Sequence, residues 1–598
     1  MQDAIPDGYL PDEHEPDLFH ALPELHYPED LNAACEMVDR HVEAGRGDEP
    51  AIVFGDSEAR RDSDDPSGGR ERGPGEAMTS ETRTESEANR ERSDPRGPRT
   101  ITYEQLRRRV DRAANALLAL GVEPGDRVFV RFPNRPEYVV CCLATQKIGA
   151  ITVPSMKLLR ADEIAYVVDD AAASVAIVYD DLLEEFEIAR DEHGLETLEE
   201  VVVVDRDDRS GDAAVEHRSY DDLVEAASPD AIAPETCRDD LAMIAYTSGT
   251  TGEPKGTVHT HRQLLAICDG YARYCLDPGP ADVFASNAPI AFTFGYGFEV
   301  AFPLRFGATT VLMEDPTPKK LLEAVETHDV SILASVPTAY NQLFAEHEDL
   351  LADADVSSLR RAVSAGEPLP PKTFEQIREY LGVDASDGIG STEMLHIFIS
   401  HRYHDEMDPT ATGVPVPGYE AKVIDPDTGE ELPRGEPGLL LVRGPTGVTY
   451  WNRPEKQREA IFDGWSAPGD VYVHREDGRF EYVSRWDDLI VTGGHNVAGP
   501  EVEDVLLERE EVYQAAVVGS PDEQRGQLVK AFVVLEEGHD GTADLTERLQ
   551  AHVKDRIAPF KYPREIEYVD DLPTTETGKI QRATLRERER EGGDAASA

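Results

Sequence analysis

From about residue 100 to residue 340 the chain alternates two periodicities. Helix-like stretches (Tyr103–Leu120, Glu137–Ile148) are separated by short β-branched runs at Arg127–Val130, Ser174–Val178, Glu200–Val204, Thr309–Leu312 and Ser331–Leu333. A short strand that is apolar throughout must be covered on both faces, and intervening helices supply that cover. The alternation predicts α/β layers on mostly parallel sheets. Upstream, a helix-like segment around Leu31–Val42 precedes a strand-like Ala51–Phe54. Between about 410 and 485 short strands with Gly/Pro turns, such as 436–443, predict a small β subdomain. After 486 a compact α+β unit is expected: a helix over Pro500–Glu508, strands at Ala515–Val518 and Lys530–Leu535, and a helix near Leu545–Ile557. The charged tail from about 585 is expected to fray. The predicted organisation is a large N-terminal domain over 1–485 and a small C-terminal domain over 486–598.

With 598 residues the chain is too long for one core. Residues 56–99 hold 12 acids, 9 arginines and almost nothing to bury, so they read as a disordered surface insertion. The whole chain carries 119 acids against 59 bases, a net charge of −60 spread along its length. Such a surface repels a phosphate backbone and an anionic bilayer, which argues against a nucleic-acid binder and a membrane-surface protein. Only 12 of the bases are lysine. A uniformly acidic, lysine-poor surface predicts a salt-rich cytoplasm, where a Debye length of ~3 Å at molar salt screens the self-repulsion. The six cysteines (Cys35, Cys141, Cys142, Cys237, Cys268, Cys275) form no metal-ligand spacing and no disulfide framework. The acidic start lacks a signal core, and no apolar run approaches 18 residues. The reading is a soluble cytoplasmic protein, for which a homodimer is allowed.

The strongest local signal is Tyr246-Thr-Ser-Gly-Thr-Thr-Gly-Glu-Pro-Lys-Gly256, directly after the strand-like Leu241–Ala245. Glycines admit an anion close to the backbone, hydroxyls donate to it, and Lys255 adds a fixed charge. That combination suits a polyphosphate. It is not a Walker A loop, because Gly252 lies three residues before Lys255 and Gly256 follows the lysine.

This loop resembles the phosphate loop of the adenylate-forming acyl-CoA synthetases, a superfamily that also includes luciferases and peptide-synthetase adenylation domains. Further motifs of that family follow in order. They are Ser364-Ala-Gly-Glu-Pro368, Asp387-Gly-Ile-Gly-Ser-Thr-Glu393, Gly469-Asp470, Arg485-Trp-Asp-Asp488, Gly493-Gly494 and Pro573-Thr-Thr-Glu-Thr-Gly-Lys-Ile-Gln-Arg582. Asp387–Phe398, Pro415–Tyr419, Arg443–Gly447 and Ala558–Pro563 resemble the aryl-CoA ligases of benzoate and 2-aminobenzoate metabolism.

The resemblance implies ATP-dependent joining of a small aromatic carboxylic acid to coenzyme A, through an acyl-adenylate. Thr247, Ser248, Gly249, Thr250, Thr251, Gly252 and Lys255 would then hold the β- and γ-phosphates, Thr392 the α-phosphate and Glu393 Mg²⁺. Gly366, Glu367 and Pro368 would lie along the adenine, with Asp387, Gly388, Ile389, Gly390 and Ser391 completing the nucleotide site. Asp470 and Arg485 would take the ribose. Lys579 would serve adenylation, Asp487 the hinge of a mobile small domain, and Gly493 and Gly494 the pantetheine tunnel. Phe292, Phe294, Tyr296, Ile389 and His396 would wall the acid pocket, whereas His259 and His261 read as structural. Ser484 departs from the glycine usual before the arginine.

Three rivals are weighed against this reading. A short- or medium-chain fatty acyl-CoA synthetase is disfavoured by the aromatic segment. An adenylation enzyme loading a carrier protein is disfavoured because the sequence reads out at 598 with no carrier domain. A non-catalytic acidic binding protein is disfavoured because Lys255, Glu393, Asp470, Arg485 and Lys579 are all present.

Overall fold

A computed structural model describes residues 15–55, 99–205, 217–247, 254–492, 495–522, 525–536, 538–574 and 580–596. The predicted insertion lies outside them apart from Arg99, which opens the strand Arg99–Thr102. Two large sheets form the body, as the alternation predicts. In the seven-stranded sheet, Arg127–Arg131, Ile151–Ser155, Val175–Tyr179, Glu200–Val204 and Leu241–Tyr246 run parallel. Gly256–Thr260 returns antiparallel beside the last of these.

The nine-stranded sheet has a parallel centre of Pro50–Phe54, Thr309–Leu312, Val283–Ser286, Ile332–Ser335, Arg361–Ala365 and Ala385–Gly390. Antiparallel strands Arg99–Thr102, Ile397–Ser400 and Val414–Pro415 finish its edges. Helices cover both sheets. Tyr103–Ala119 starts at a capping box between Thr102 and Gln105 and buries Leu106, Val110 and Leu117. Pro136–Lys147 begins with proline, needs no first N–H, and is buried on every side.

Three expectations are corrected. The single helix over Leu31–Val42 is two short ones, Ala33–Met37 and Asp39–Glu43, broken at Val38. The break turns Asp39 onto the buried Lys147 Nζ at 2.7 Å and brings His41 Nε2 within 2.7 Å of the Leu304 carbonyl. The β subdomain is a six-stranded sheet that starts at Glu420 rather than 410, because Val414–Pro415 pairs with the large sheet instead. The tail is ordered as the helix Arg582–Ala596. Leu585 is buried, and Glu589 accepts from Ser520 Oγ and Lys530 Nζ, both at 2.7 Å.

The last unit is a five-stranded sheet (Ile490–Thr492, His495–Val497, Val512–Asp522, Gly526–Leu535, Glu565–Tyr568) backed by helices Gly499–Leu507 and Ala543–Arg556. All six cysteines are free thiols. Among the described residues no helix is long and apolar enough to cross a membrane.

Candidate active site

In open parallel sheets, ligands bind beyond the carboxyl ends of the strands. The motif residues leave the sheets at those ends: Thr247 after Tyr246, Gly366 after Ala365, and Ser391 after Gly390. The base of the glycine-rich loop is closed by two hydrogen bonds. Thr247 N donates to Lys255 O at 3.0 Å, and Lys255 N donates to Thr247 Oγ1 at 3.2 Å. A polar brace holds it from outside. Tyr166 Oη donates to Pro254 O at 2.9 Å, Arg453 reaches Tyr166 Oη at 2.7 Å and ion-pairs Asp170, and Tyr246 Oη donates to Asp170 at 2.7 Å. Ser248, Gly249, Thr250, Thr251 and Gly252 lie outside the described residues, as do Gly493, Gly494 and Lys579. The Asp487 side chain also lies outside the description, although its backbone belongs to the 3-10 turn Trp486–Asp488.

Thr392 and Glu393 sit in the turn that joins Ala385–Gly390 to Ile397–Ser400. Thr257 Oγ1 donates to Ala245 O at 3.0 Å and lies 3.4 Å from the Thr392 carbonyl, which ties this turn to the strand after the glycine-rich loop. Leu395 holds the turn in a left-handed conformation, φ 69°, unusual for leucine. Glu393 Oε1 accepts from Tyr450 Oη at 3.0 Å, and Lys255 Nζ stands 5.1 Å from the centroid of the Tyr450 ring. Burial and the Glu393 carboxylate push the Tyr450 phenol up from its ordinary value, so it stays a donor.

After the strand Arg361–Ala365, Gly366 takes φ 92°, and Glu367 Oε2 accepts from Thr338 Oγ1 at 2.7 Å. Asp387 keeps one oxygen, Oδ1, enclosed and without a hydrogen-bond partner, and desolvation pushes its carboxyl up to about 7. Asp470 and Arg485 are cross-strand partners. Arg485 Nη1 donates to both Asp470 carboxylate oxygens at 3.2 Å and to Pro468 O at 2.9 Å. Ser484 pairs with Val471 at the edge of a register irregularity, because the next partners along the strands are Tyr472 and Tyr482, and its enclosed hydroxyl has no partner.

On the opposite side of the turn His396 enters an aromatic cage. Its ring centroid is 4.6 Å from Phe302, 5.3 Å from Tyr271, 5.6 Å from Phe298 and 5.8 Å from Phe294, with which it stacks at 19°. Both ring nitrogens are buried without a hydrogen-bond partner, and desolvation pushes the imidazole down to about 3. A Cβ on Gly297 would meet His396 Nε2 at 2.4 Å, so only glycine fits there. Phe292, Phe294 and Ile389 are half-buried against the same core.

Tyr296 is a correction. Its hydroxyl lies 3.2 Å from both amide atoms of Gln146, on the helix Pro136–Lys147, and the residue is wholly buried there. It belongs to the core, because the helical turn Thr293–Tyr296 swings it away from the Phe294 face. The sequence alone does not single out Phe298, Phe302, Tyr271 or Tyr450, which pack against His396 or contact Glu393. The i, i+4 spacing of Phe294, Phe298 and Phe302 carried a usable signal for two of them. His259 and His261 are buried and neutral, pushed down to about 3 and about 4 by desolvation, as structural histidines should be.

Residues 80–451 match the model of the AMP-binding enzyme family, and 501–579 match the AMP-binding enzyme C-terminal domain. The benzoate–CoA ligase of Thauera aromatica is 37% identical over 567 residues, 94% of this chain and 97% of its own length. A 4-hydroxybenzoate–CoA/benzoate–CoA ligase of Rhodopseudomonas palustris is 32% identical, covering 93% of this chain and 94% of its own. Among solved structures, the anthranilate CoA ligase AuaEII in complex with anthranoyl-AMP superposes with a TM-score of 0.83 at 31% identity, covering 96% of this chain and 100% of that one. The ordered motifs, the layered fold and these matches together place the chain in the AMP-binding enzyme family.

Proposed function

We propose that this protein is an ATP-dependent aromatic carboxylate–CoA ligase, with benzoate or 2-aminobenzoate as the acid. The observation that carries the aromatic assignment is the cage around His396, where flat rings stack and water is excluded, one turn away from Glu393. In the first half-reaction an acid oxygen attacks the α-phosphorus of ATP, and the bond to pyrophosphate breaks. In the second, the sulfur of coenzyme A attacks the acyl carbon, and the bond to AMP breaks. Both steps build negative charge, so fixed donors and cations do the work.

Residues Thr247 to Gly252 and Lys255 hold the β- and γ-phosphates in this reading, and Thr392 holds the α-phosphate. Asp387 Oδ1 is the acceptor left for the exocyclic amine of adenine, beside the Gly366–Pro368 strand end. Asp470, held by Arg485, takes the ribose hydroxyls. Glu393 offers a carboxylate oxygen beyond the one bonded to Tyr450, a hard donor that fits Mg²⁺ among phosphate oxygens. Bound there, Mg²⁺ would offset phosphate charge. Lys579, brought by the unit after 485, neutralises charge between the acid and the α-phosphate. Rotation at Asp487 then presents Gly493 and Gly494 to pantetheine. The excess acidity supports a salt-rich cytoplasm as the setting.

The test is AMP formation in molar KCl with ATP, Mg²⁺, CoA and a panel of benzoate, 2-aminobenzoate, hydroxybenzoates, phenylacetate, butyrate and octanoate. An aryl acid should give the highest kcat/KM; preference for an aliphatic acid would sink the cage assignment. Lys579→Ala should lose adenylation about a thousandfold while turning preformed aroyl-adenylate over with CoA at the normal rate. Equal loss of both half-reactions would remove Lys579 from its role.

A further inference from the structure

Lys255 and Glu393 come from different motifs, yet one side chain outside both motifs touches each of them. Tyr450 is buried. Its backbone bridges to Thr257, and its N–H donates to Gln457 Oε1 at 2.9 Å. Gln457 is itself buried and donates through Nε2 to Val448 O at 2.7 Å, and the neighbouring Trp451 N donates to Gly256 O at 2.8 Å. The ring is therefore fixed to the strand that follows the glycine-rich loop. Its hydroxyl holds one Glu393 oxygen, and its face carries the Lys255 ammonium.

A lysine and a glutamate that reach the same side chain could pair with each other. Paired, each would cancel the other, and neither would be available to a triphosphate or its cation. Among the described residues Lys255 and Glu393 form no ion pair; each contacts Tyr450 instead. The hydroxyl satisfies one carboxylate oxygen and leaves the other; the ring's negative face supports the ammonium without neutralising it.

We infer that Tyr450 is a positioning residue that keeps Lys255 and Glu393 apart and separately aimed at a nucleoside triphosphate and its divalent cation. The inference rests on the ligase reading above. Tyr450→Phe keeps the ring and removes the donor, whereas Tyr450→Leu removes both.

Tyr450→Phe should raise the Mg²⁺ concentration for half-maximal pyrophosphate release about tenfold, the loss expected for one hydrogen bond to a charged group. The KM for ATP should stay near that of the parent, and CoA-dependent turnover of supplied aroyl-adenylate should be unchanged. Tyr450→Leu should raise the KM for ATP as well. Binding gives a second readout that needs no turnover. Mn²⁺ titrated by electron paramagnetic resonance into enzyme with a non-hydrolysable ATP analogue should bind about tenfold more weakly to Tyr450→Phe, and in a Glu393→Gln background Tyr450→Phe should cost nothing further. Unchanged Mn²⁺ affinity in Tyr450→Phe overturns the inference. So does equal loss in both half-reactions, which would mark the residue as merely structural. If the parent enzyme releases no pyrophosphate with any aryl acid, the ligase reading falls, and the Mn²⁺ titration still decides the role of Tyr450.

Discussion

The two sides of the Ser391–His396 turn are built on opposite principles. The side with Asp470 is polar and local: Asp470 and Arg485 are strand neighbours that keep each other in place, and Arg485 is about half exposed. The side with His396 is apolar and assembled from distant parts of the chain: Tyr271, Phe298, Phe302 and His396 meet with no polar contact between them. Their titrating groups shift in opposite senses for one reason. Desolvation penalises charge, so Asp387 rises to about 7 and stays protonated longer, whereas His396 falls to about 3 and stays neutral. One site thus combines a half that handles charge with a half that refuses it.

The largest test of this contrast is acid. His41, His261 and His401 are pushed down to about 4, and His259 and His396 to about 3. Unfolded histidines titrate near 6.5, so between there and about pH 4 the unfolded chain binds more protons, and stability falls as pH falls. Asp387 acts with the opposite sign: between about 4 and 7 the folded state binds the extra proton. His396→Phe should therefore flatten the fall in melting temperature on acidification, and Asp387→Asn should steepen it. The same sign for both variants would refute the contrast.

Next in size, Gly297→Ala places a methyl group against His396 Nε2 and should cut kcat/KM for the aryl acid about thirtyfold. The KM for ATP should not move; if it does, the two sides are not separable. Asp470→Asn should do the reverse, raising the KM for ATP about tenfold and leaving the acid ranking intact. The smallest effect is expected at Ser484, whose enclosed hydroxyl has no partner. Ser484→Ala should gain about 1 kcal/mol of stability in a denaturant titration.

The same contrast explains what could be read in advance. The polar side is written in contiguous motifs, because a glycine-rich loop and a strand pair that fixes a carboxylate use near neighbours in sequence. Local alternation likewise disclosed the parallel layers. The cage depends on which distant surfaces meet, and periodicity reports that a face is buried without saying against what. Hence composition discloses Phe292–Tyr296 as an aromatic segment, but not that Tyr296 turns onto Gln146 in the core, nor that Tyr271 joins the cage. Tyr450 escaped because a tyrosine beside Trp451 and Asn452 carries no chemical signature until Glu393 is folded onto it. The terminal helix is hidden in the sequence because its charge suggests solvent, whereas Glu589 bonds Lys530.

The strand Pro50–Phe54 lies inside the nine-stranded sheet, between Arg99–Thr102 and Thr309–Leu312. A ribosome delivers it long before its parallel partner exists. The seven-stranded sheet draws all its strands from residues 127–260 and can close while synthesis continues. The larger sheet must wait for residue 309 and beyond, leaving a hydrogen-bonding edge open in the nascent chain. Birth order therefore lets the smaller sheet close first while the early strand waits with one edge unpaired, a state open to misassembly.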